Sequence, residues 1–154
     1  MDIQSKSAQE VRRISYEARQ LKPIIELAEK AHAGQTRRDG FTPAITHPQT
    51  VAKIVRQNGG SAEAIQVAWL HDVLEDSDTK IHQIENAGGS RRVQEAVIIL
   101  THPRHEPYIE YIERVRTNGL ARTVKIADIK ANLAGSPSNH AVGKYINALN
   151  ILNA

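Results

Sequence analysis

Apolar residues recur every three or four positions along most of this chain, and that spacing constrains the fold more than any other feature. Val51, Ile54 and Val55, for example, share one side of a helix if their segment is helical. No segment shows the sustained two-residue alternation that is typical of a half-buried strand. The sequence therefore predicts an all-α fold, and its 154 residues predict a single-domain helical bundle.

Proline, glycine and serine residues mark where the predicted helices begin and end. Pro23 is placed in the first turn of a second helix, Gly34 ends that helix, and Gly59-Gly60 ends the next. Ser61 is predicted to cap the helix that follows. Residues 35–46 have no period and are predicted to form a loop. The predicted helices span residues 8–21, 23–33, 48–58, 62–75, 79–86, 90–100, 107–117, 120–133 and 138–152.

The chain contains no cysteine, which excludes disulfide bonds and thiolate metal sites. No run of about 18 apolar residues is present to span a bilayer. The N-terminal stretch MDIQSKSAQEVRR lacks the apolar core of a signal peptide, and its first few residues are expected to be flexible. These features predict a soluble, cytoplasmic protein with no membrane partner.

The charge balance is only mildly basic, with 20 Lys and Arg against 17 Asp and Glu and a net charge of +3. Nucleic-acid-binding proteins usually cluster their basic residues and often place aromatic residues among them. Here aromatic residues are 4% of the chain, and the Arg pairs at 12–13, 37–38 and 91–92 are scattered. A small phosphorylated ligand fits this balance better than a nucleic acid. Nothing in the sequence indicates the oligomeric state.

The stretch VAWLHDVLED (67–76) places four ionisable groups directly after an apolar run. Burying such groups is costly unless they pair or bind a metal. On a helix, residues four positions apart share a face, so His71 would lie beside Glu75 and Asp72 beside Asp76. Two interpretations remain open for this segment alone. The residues line a cavity, or His71 is a hydrogen-bonded core histidine and the carboxylates form a solvated helix end.

Two further segments carry groups of the same kind. His47 stands before Pro48 at the start of a predicted helix, and Asp128 lies on the apolar stripe of VKIADIKANL with Asn132 one turn later. Together with His71 and Asp72, these segments supply two imidazoles and two carboxylates. Mixed His and Asp ligands suit a divalent first-row metal such as Mn²⁺, Fe²⁺ or Zn²⁺.

The order H…HD…D resembles the metal-binding pattern of the HD-superfamily phosphohydrolases. Three blocks narrow the resemblance to the Rel/Spo-type alarmone hydrolases. The first, HAGQTRRDGFTPAITHPQTVAKIV (32–55), is similar to their opening motif. VAWLHDVLEDSDTK (67–80) resembles their HDxxEDT block, and KIADIKANL (125–133) resembles their KLADxxxNL block. The blocks occur in the family's order and span about residues 30–135, the expected metal-site core.

The resemblance implies a role for each matched residue. One Mn²⁺ would be ligated by His47, His71, Asp72 and Asp128. The pair Glu75 and Asp76 would orient and activate the attacking water. Arg37 would contact a guanine base with Arg38 beside it, and Asn132 would contact the ribose. The implied reaction removes the 3′-pyrophosphate of guanosine tetra- or pentaphosphate (ppGpp or pppGpp) to give GDP or GTP and pyrophosphate. The chain length leads us to expect a hydrolase without a synthetase domain.

Two positions depart from the family pattern. Ala44 stands where the alarmone hydrolases have a tyrosine, and Ile129 stands where they often have Arg or Lys. These changes leave the metal residues intact and favour, as an alternative, the same chemistry on another nucleotide such as NADPH or a dNTP. A non-catalytic nucleotide-sensing module is a further alternative. It predicts the loss of a ligand or of the Glu-Asp pair, and all six residues are present.

The segment THPRHEPYIEYI (101–112) resembles compact stand-alone HD proteins rather than the long alarmone enzymes. Arg104 and His105 lie between the second and third ligand segments of the sequence. They are candidates for contact with a distal phosphate, against the alternative that they lie on the surface. Beyond these two candidates, the sequence assigns no role to the loop 101–107.

Overall fold

A computed structural model describes residues 6–154, and the first five residues, which include the segment expected to be flexible, lie outside the described part. This part contains nine helices: α1 (Ala8–Ala31), α2 (Thr46–Gln57), α3 (Ala62–Leu70), α4 (Val73–Asp76), α5 (Ile81–Asn86), α6 (Arg91–Leu100), α7 (Tyr108–Arg116), α8 (Gly119–Ala134) and α9 (Asn139–Leu152). Its one isolated β-bridge pairs Thr36 with Pro43. The all-α prediction is confirmed. None of the helices in residues 6–154 combines the length and the apolarity needed to cross a bilayer.

Helix α1 corrects the predicted boundary at Pro23. The two helices predicted over 8–21 and 23–33 form one helix, Ala8–Ala31, with Pro23 inside it. A proline in a helix interior loses one backbone hydrogen bond, at a cost of about 3 kcal/mol. Ile24 and Ala28, directly beyond the proline, are both fully buried. Their packing against the core explains why the helix continues.

The prediction of one continuous helix over 62–75 is also wrong. Here one predicted helix forms two, because the helix breaks at His71 and Asp72. Helix α3 ends at Leu70 and α4 begins at Val73, and Asp72 between them has φ −107° and ψ −3°. On a regular helix, adjacent side chains point about 100° apart. The break instead allows His71 Nε2 and Asp72 Oδ2 to approach within 3.1 Å of each other.

Polar caps start most of the longer helices. The predicted cap at Ser61 is confirmed, since its hydroxyl accepts a hydrogen bond from the Ala64 N–H at 3.1 Å. Asn118, predicted as part of a helix end, instead caps α8 by accepting from the Ala121 N–H at 2.9 Å. Helix α2 begins at Thr46, two residues earlier than predicted, so His47 lies inside its first turn.

Helices α2, α3 and α8 pack against one another at the centre of the molecule, with α1 and α6 against α3 and α9 against α7 and α8. Fully buried side chains on these three central helices include Val51, Val67, Leu70, Val124 and Ile129. Each such side chain stabilises the fold by about 1.5–3 kcal/mol relative to exposure. This packing fixes the relative positions of the segments that carry His47, His71 and Asp128.

Candidate functional site

Three buried side chains from three separate segments meet beside the central helices. His47 is 8% exposed, His71 3% and Asp128 5%. Asp128 Oδ1 lies 2.7 Å from His47 Nε2 and 3.6 Å from His71 Nε2. The imidazole rings of His47 and His71 lie edge to face, with centroids 5.3 Å apart.

Asp72 completes a group whose donor atoms suit a metal ion. Ligand atoms of His47, His71 and Asp72 all lie within 4.8 Å of one another. His71 donates its Nδ1–H to the Ala68 carbonyl at 2.7 Å, which leaves a lone pair on Nε2. That buried Nε2 has no hydrogen-bond partner among residues 6–154. A lone pair facing carboxylate oxygens is repelled unless a proton or cation lies between them, so these residues fit a divalent cation.

The electrostatics of the group point the same way. Burial disfavours the charged form of His71, but the Asp72 and Asp128 carboxylates outweigh burial and raise the pKa of His71 well above its ordinary value. Burial would raise the pKa of Asp128, yet the Lys125 ammonium and the two imidazoles hold it well below its usual range. The site therefore attracts positive charge strongly at its centre.

Lys125 and Asn132 hold the Asp128 carboxylate in place. Lys125 Nζ, on a side chain that is 14% exposed, donates to Asp128 Oδ2 at 2.8 Å. Asn132 Nδ2 donates to Asp128 Oδ1 at 3.3 Å. Burial opposes the charge of Lys125, but Asp128 outweighs it and raises the pKa of Lys125 above its ordinary value. One carboxylate oxygen thus faces the lysine and the other faces the histidines.

Glu75 and Asp76 lie on the short helix α4, directly after the group that includes Asp72. Partial burial, together with the neighbouring carboxylates, raises the pKa of Glu75, although the His102 backbone N–H that donates to its Oε1 partly offsets this. Partial burial and Asp72 likewise raise the pKa of Asp76. A carboxylate with a raised pKa is better able to accept a proton near neutral pH.

A cleft of about 1480 Å³ contains these groups and most of the remaining predicted site residues. We call the predicted metal-binding and proton-handling residues that line it the acidic group: His47, Asp72, Glu75, Asp76 and Asp128. We call its cations the basic group: Arg37, Arg38 and Lys144. Asn132 lines the same cleft. The residues predicted for the metal, the water and the nucleotide therefore all line it except His71, which is buried beside Asp72 and Asp128. A smaller cavity of about 610 Å³, beside α1, has neither His nor Asp in its lining.

The loop before α2 presents Arg37 and Arg38 to the cleft. The Arg37 N–H donates to the Thr42 carbonyl at 2.8 Å, and Asp39 Oδ1 accepts from the Thr42 N–H at 2.8 Å. Gly40 at the tip has φ +81°, a left-handed conformation that glycine adopts without strain. None of the three cations of the basic group lies within 4.0 Å of a carboxylate oxygen of residues 6–154. They are available to an anionic ligand.

The two departures from the family pattern have different surroundings. Ala44 lines the cleft, so the missing tyrosine side chain leaves space beside the acidic group. Ile129 is fully buried in the apolar core. An arginine or lysine with the same backbone placement would have to bury its stem there, which explains why isoleucine is accommodated at this position.

The structure adds residues to the cleft that sequence reasoning did not select. Lys144 and Tyr145 come from α9, and no local pattern in that helix signals that it returns to the loop 35–46. His32 and Gln35 also line the cleft; His32 Nδ1 lies 2.9 Å from Gln35 Oε1, and Gln35 Nε2 donates to the Asp76 carbonyl at 2.7 Å. Their signal was present in the opening HAGQ of the first block. Arg104 and His105, the candidates for a distal phosphate, are exposed and do not line the cleft.

Comparison with known proteins agrees with this geometry. The family model described as HD domain matches residues 25–98. The guanosine-3′,5′-bis(diphosphate) 3′-pyrophosphohydrolases MESH1 of Mus musculus and of Homo sapiens are each 35% identical over 124 residues, 76% of this chain and 69% of the relative. The chain belongs to the HD-domain family that includes MESH1.

Two further comparisons cover a shorter stretch of sequence or show the fold alone. A guanosine-3′,5′-bis(diphosphate) 3′-pyrophosphohydrolase of Vibrio cholerae is 42% identical over 70 residues, which are 46% of this chain but 10% of that protein. A solved structure described as a metazoan ortholog of SpoT that hydrolyses ppGpp superposes with a TM-score of 0.70 at 22% identity. It covers 86% of this chain and 83% of its own, which confirms the HD-type helical fold.

Proposed function

We propose that this protein is a metal-dependent hydrolase that removes the 3′-pyrophosphate of guanosine tetra- or pentaphosphate, releasing GDP or GTP and pyrophosphate. The observation that carries the proposal is the convergence of the acidic group on one cleft that also contains unpaired cations. The MESH1 relatives bear the name of this activity. We further propose that residues 1–154 act as one HD hydrolase domain with its site core between about residues 30 and 135.

His47, His71, Asp72 and Asp128 would hold the metal, and we propose Mn²⁺ as the ion. Imidazole nitrogens and carboxylate oxygens without any thiolate favour this class of divalent ion over a thiophilic one. A bound divalent cation lowers the pKa of a water molecule and offsets the charge of phosphoryl oxygens. The Nε2 atom of His71, which has no hydrogen-bond partner among residues 6–154, and the low pKa of Asp128 support these residues as ligands.

Glu75 and Asp76 would handle the proton of the attacking water. One carboxylate takes a proton as the water oxygen bonds to phosphorus, and the bond between the 3′-oxygen and the pyrophosphate breaks. The departing 3′-oxygen then takes up a proton, so the reaction consumes one water overall. The raised pKa values of both carboxylates support this role, because a weakly acidic group holds the transferred proton more readily.

The basic group would bind the nucleotide. The planar guanidinium of Arg37 would offer a surface for a guanine base, with Arg38 beside it, and the amide of Asn132 in the same cleft would contact the ribose. Lys144 adds a cation from α9 that suits a phosphate remote from the reacting one. These contacts favour a small nucleotide over a nucleic acid, since the basic residues form a local group and not an extended stripe.

A second nucleotide class is supported by Ala44. Its small side chain in the cleft leaves room for a larger or differently shaped nucleotide, such as NADPH, or for a dNTP. A non-catalytic sensing module is disfavoured, because the four proposed ligands and both proton-handling carboxylates are present in one cleft or directly behind it.

Incubation of the Mn²⁺-loaded protein with ppGpp, NADPH and each dNTP tests the proposal directly. We expect free pyrophosphate from ppGpp, and none after the metal has been stripped with a chelator. Orthophosphate from NADPH alone would instead favour the second nucleotide class. If none of the substrates is hydrolysed in the presence of any first-row divalent metal, the proposed activity is refuted.

A further inference from the structure

The carboxylate of Glu75 is held by a backbone group that lies 27 residues away in the sequence. The N–H of His102, in the loop 101–107, donates to Glu75 Oε1 at 2.5 Å. No donor of residues 6–154 engages the second oxygen, Oε2. The bond holds Oε1 beside the loop. The position of the loop therefore limits the directions in which the free oxygen, Oε2, can point.

The side chain of His102 anchors the loop on α7. Its ring stacks on the Tyr111 ring with centroids 4.3 Å apart and an angle of 13° between the planes. Its Nε2–H donates to the Glu106 carbonyl at 2.7 Å. Tyr111 is itself fixed, because its buried hydroxyl donates to the Leu100 carbonyl at 2.6 Å.

Arg114 joins the two ends of the same loop. Its guanidinium donates to the carbonyls of Ile99 at 2.7 Å and Thr101 at 3.3 Å, at the end of α6. It also donates to both carboxylate oxygens of Glu106, at 2.8 and 3.1 Å, at the far end of the loop. The carbonyls that end a helix have no intrahelical partner, and a forked guanidinium is suited to bind them and a carboxylate together.

We propose that Arg114 is a positioning residue for Glu75, acting through the loop 101–107. By joining the end of α6 to Glu106, it holds the His102 N–H where it binds the Glu75 carboxylate. This role rests on the proposed function of Glu75 as the group that handles the water's proton. It gives a role to the loop that sequence analysis left without one.

The test compares Arg114→Met and Arg114→Lys with Arg116→Met on the same helix. Arg116 makes an exposed pair with Glu113 and has no contact with the loop 101–107, so it is a matched control. We expect Arg114→Met to lower kcat by about tenfold, a fraction of what general base catalysis contributes, with KM and the Mn²⁺ dissociation constant unchanged within about twofold. Arg114→Lys should recover only part of kcat, because an ammonium lacks the fork. Arg116→Met should behave as the parent protein.

A double-mutant cycle separates positioning from a general loss of structure. In a Glu75→Ala background there is no carboxylate to position, so Arg114→Met should cause no further loss of kcat. An equal loss of kcat in both backgrounds, or a parallel loss of Mn²⁺ affinity, would overturn the proposal.

Hydrogen exchange at the His102 amide gives a readout that does not need activity. We expect its exchange to quicken by at least about tenfold in Glu75→Ala and in Arg114→Met, and to stay unchanged in Arg116→Met. Unchanged exchange in Arg114→Met refutes the positioning role even if ppGpp is not the substrate. Faster exchange in a protein that hydrolyses no nucleotide would refute the proposed function and leave the loop contact established.

Discussion

The proposed metal ligands and the basic group of the cleft differ in how they are held. His47, His71 and Asp128 are each at most 8% exposed and are tied to one another or to the central helices. Arg37 and Arg38 are exposed on a loop that has its own local hydrogen bonds. The core therefore positions the proposed metal ligands, whereas a surface loop and α9 position the residues proposed to recognise the nucleotide. We therefore expect substitutions at the metal ligands to be poorly tolerated and substitutions in the basic group to be better tolerated.

The largest effect should follow from removing a ligand at the centre of the acidic group. Asp128→Ala should abolish turnover and weaken Mn²⁺ binding by more than about 100-fold, since the loss of even an outer-shell partner costs about 10–100-fold. Calorimetric titration of Mn²⁺ measures this loss. Asp78→Ala, an exposed carboxylate outside the cleft, serves as the control. Retention of tight metal binding in Asp128→Ala would contradict the proposed ligand set.

Within the acidic group, Glu75 should separate metal binding from turnover. Glu75→Gln preserves the shape of the side chain but cannot take the water's proton, so we expect kcat to fall by about 10²- to 10⁴-fold. Mn²⁺ affinity should stay within about twofold of the parent value. Steady-state kinetics and metal titration check both expectations, with the exposed Glu85→Gln as the control. Undiminished kcat would remove Glu75 from the mechanism.

The basic group should show the reverse pattern. Lys144→Gln and Arg38→Gln should each raise KM for ppGpp about three- to tenfold, which corresponds to roughly 1 kcal/mol for a partly exposed charge contact, and should leave kcat nearly unchanged. The comparison substrate is guanosine 3′-diphosphate, which lacks the 5′-phosphates and so lacks the remote phosphate that Lys144 is proposed to bind. Lys130→Gln on the exposed side of α8 should change neither constant. A lower kcat in Lys144→Gln would place Lys144 with the acidic group.

The smallest effect should come from the loop that carries the arginines. Gly40→Ala forces a side chain into a left-handed conformation at a cost of about 1–2 kcal/mol, although no atom lies within 4 Å of the new methyl group. We expect about a twofold rise in KM and a slightly lower melting temperature, with Mn²⁺ affinity unchanged. Gly119→Ala, which has open space and no positive φ, is the matched control. A loss of Mn²⁺ affinity in Gly40→Ala would show that the loop and the metal group are coupled.

Much of the fold and of the proposed metal group could be predicted because their signals are local or ordered along the chain. Apolar spacing gave the helical class, and Ser61 gave a cap that the structure confirms. Predictions from local sequence rules were wrong at two places where tertiary packing decides the structure. Pro23 does not end α1, because Ile24 and Ala28 bury their side chains beyond it. The helix over 62–75 breaks at His71 and Asp72, which lets adjacent side chains face the same point.

By itself, the sequence determined that the chain is helical, that it carries the HD pattern, and which residues are candidates for the metal and the water. Only the tertiary structure decided that Lys144 of α9 joins Arg37 and Arg38 in one cleft, and that the His102 N–H holds Glu75. Periodicity and motif order depend on neighbours along the chain. Contacts between distant segments depend on how the helices pack, and that packing is settled by the whole core at once.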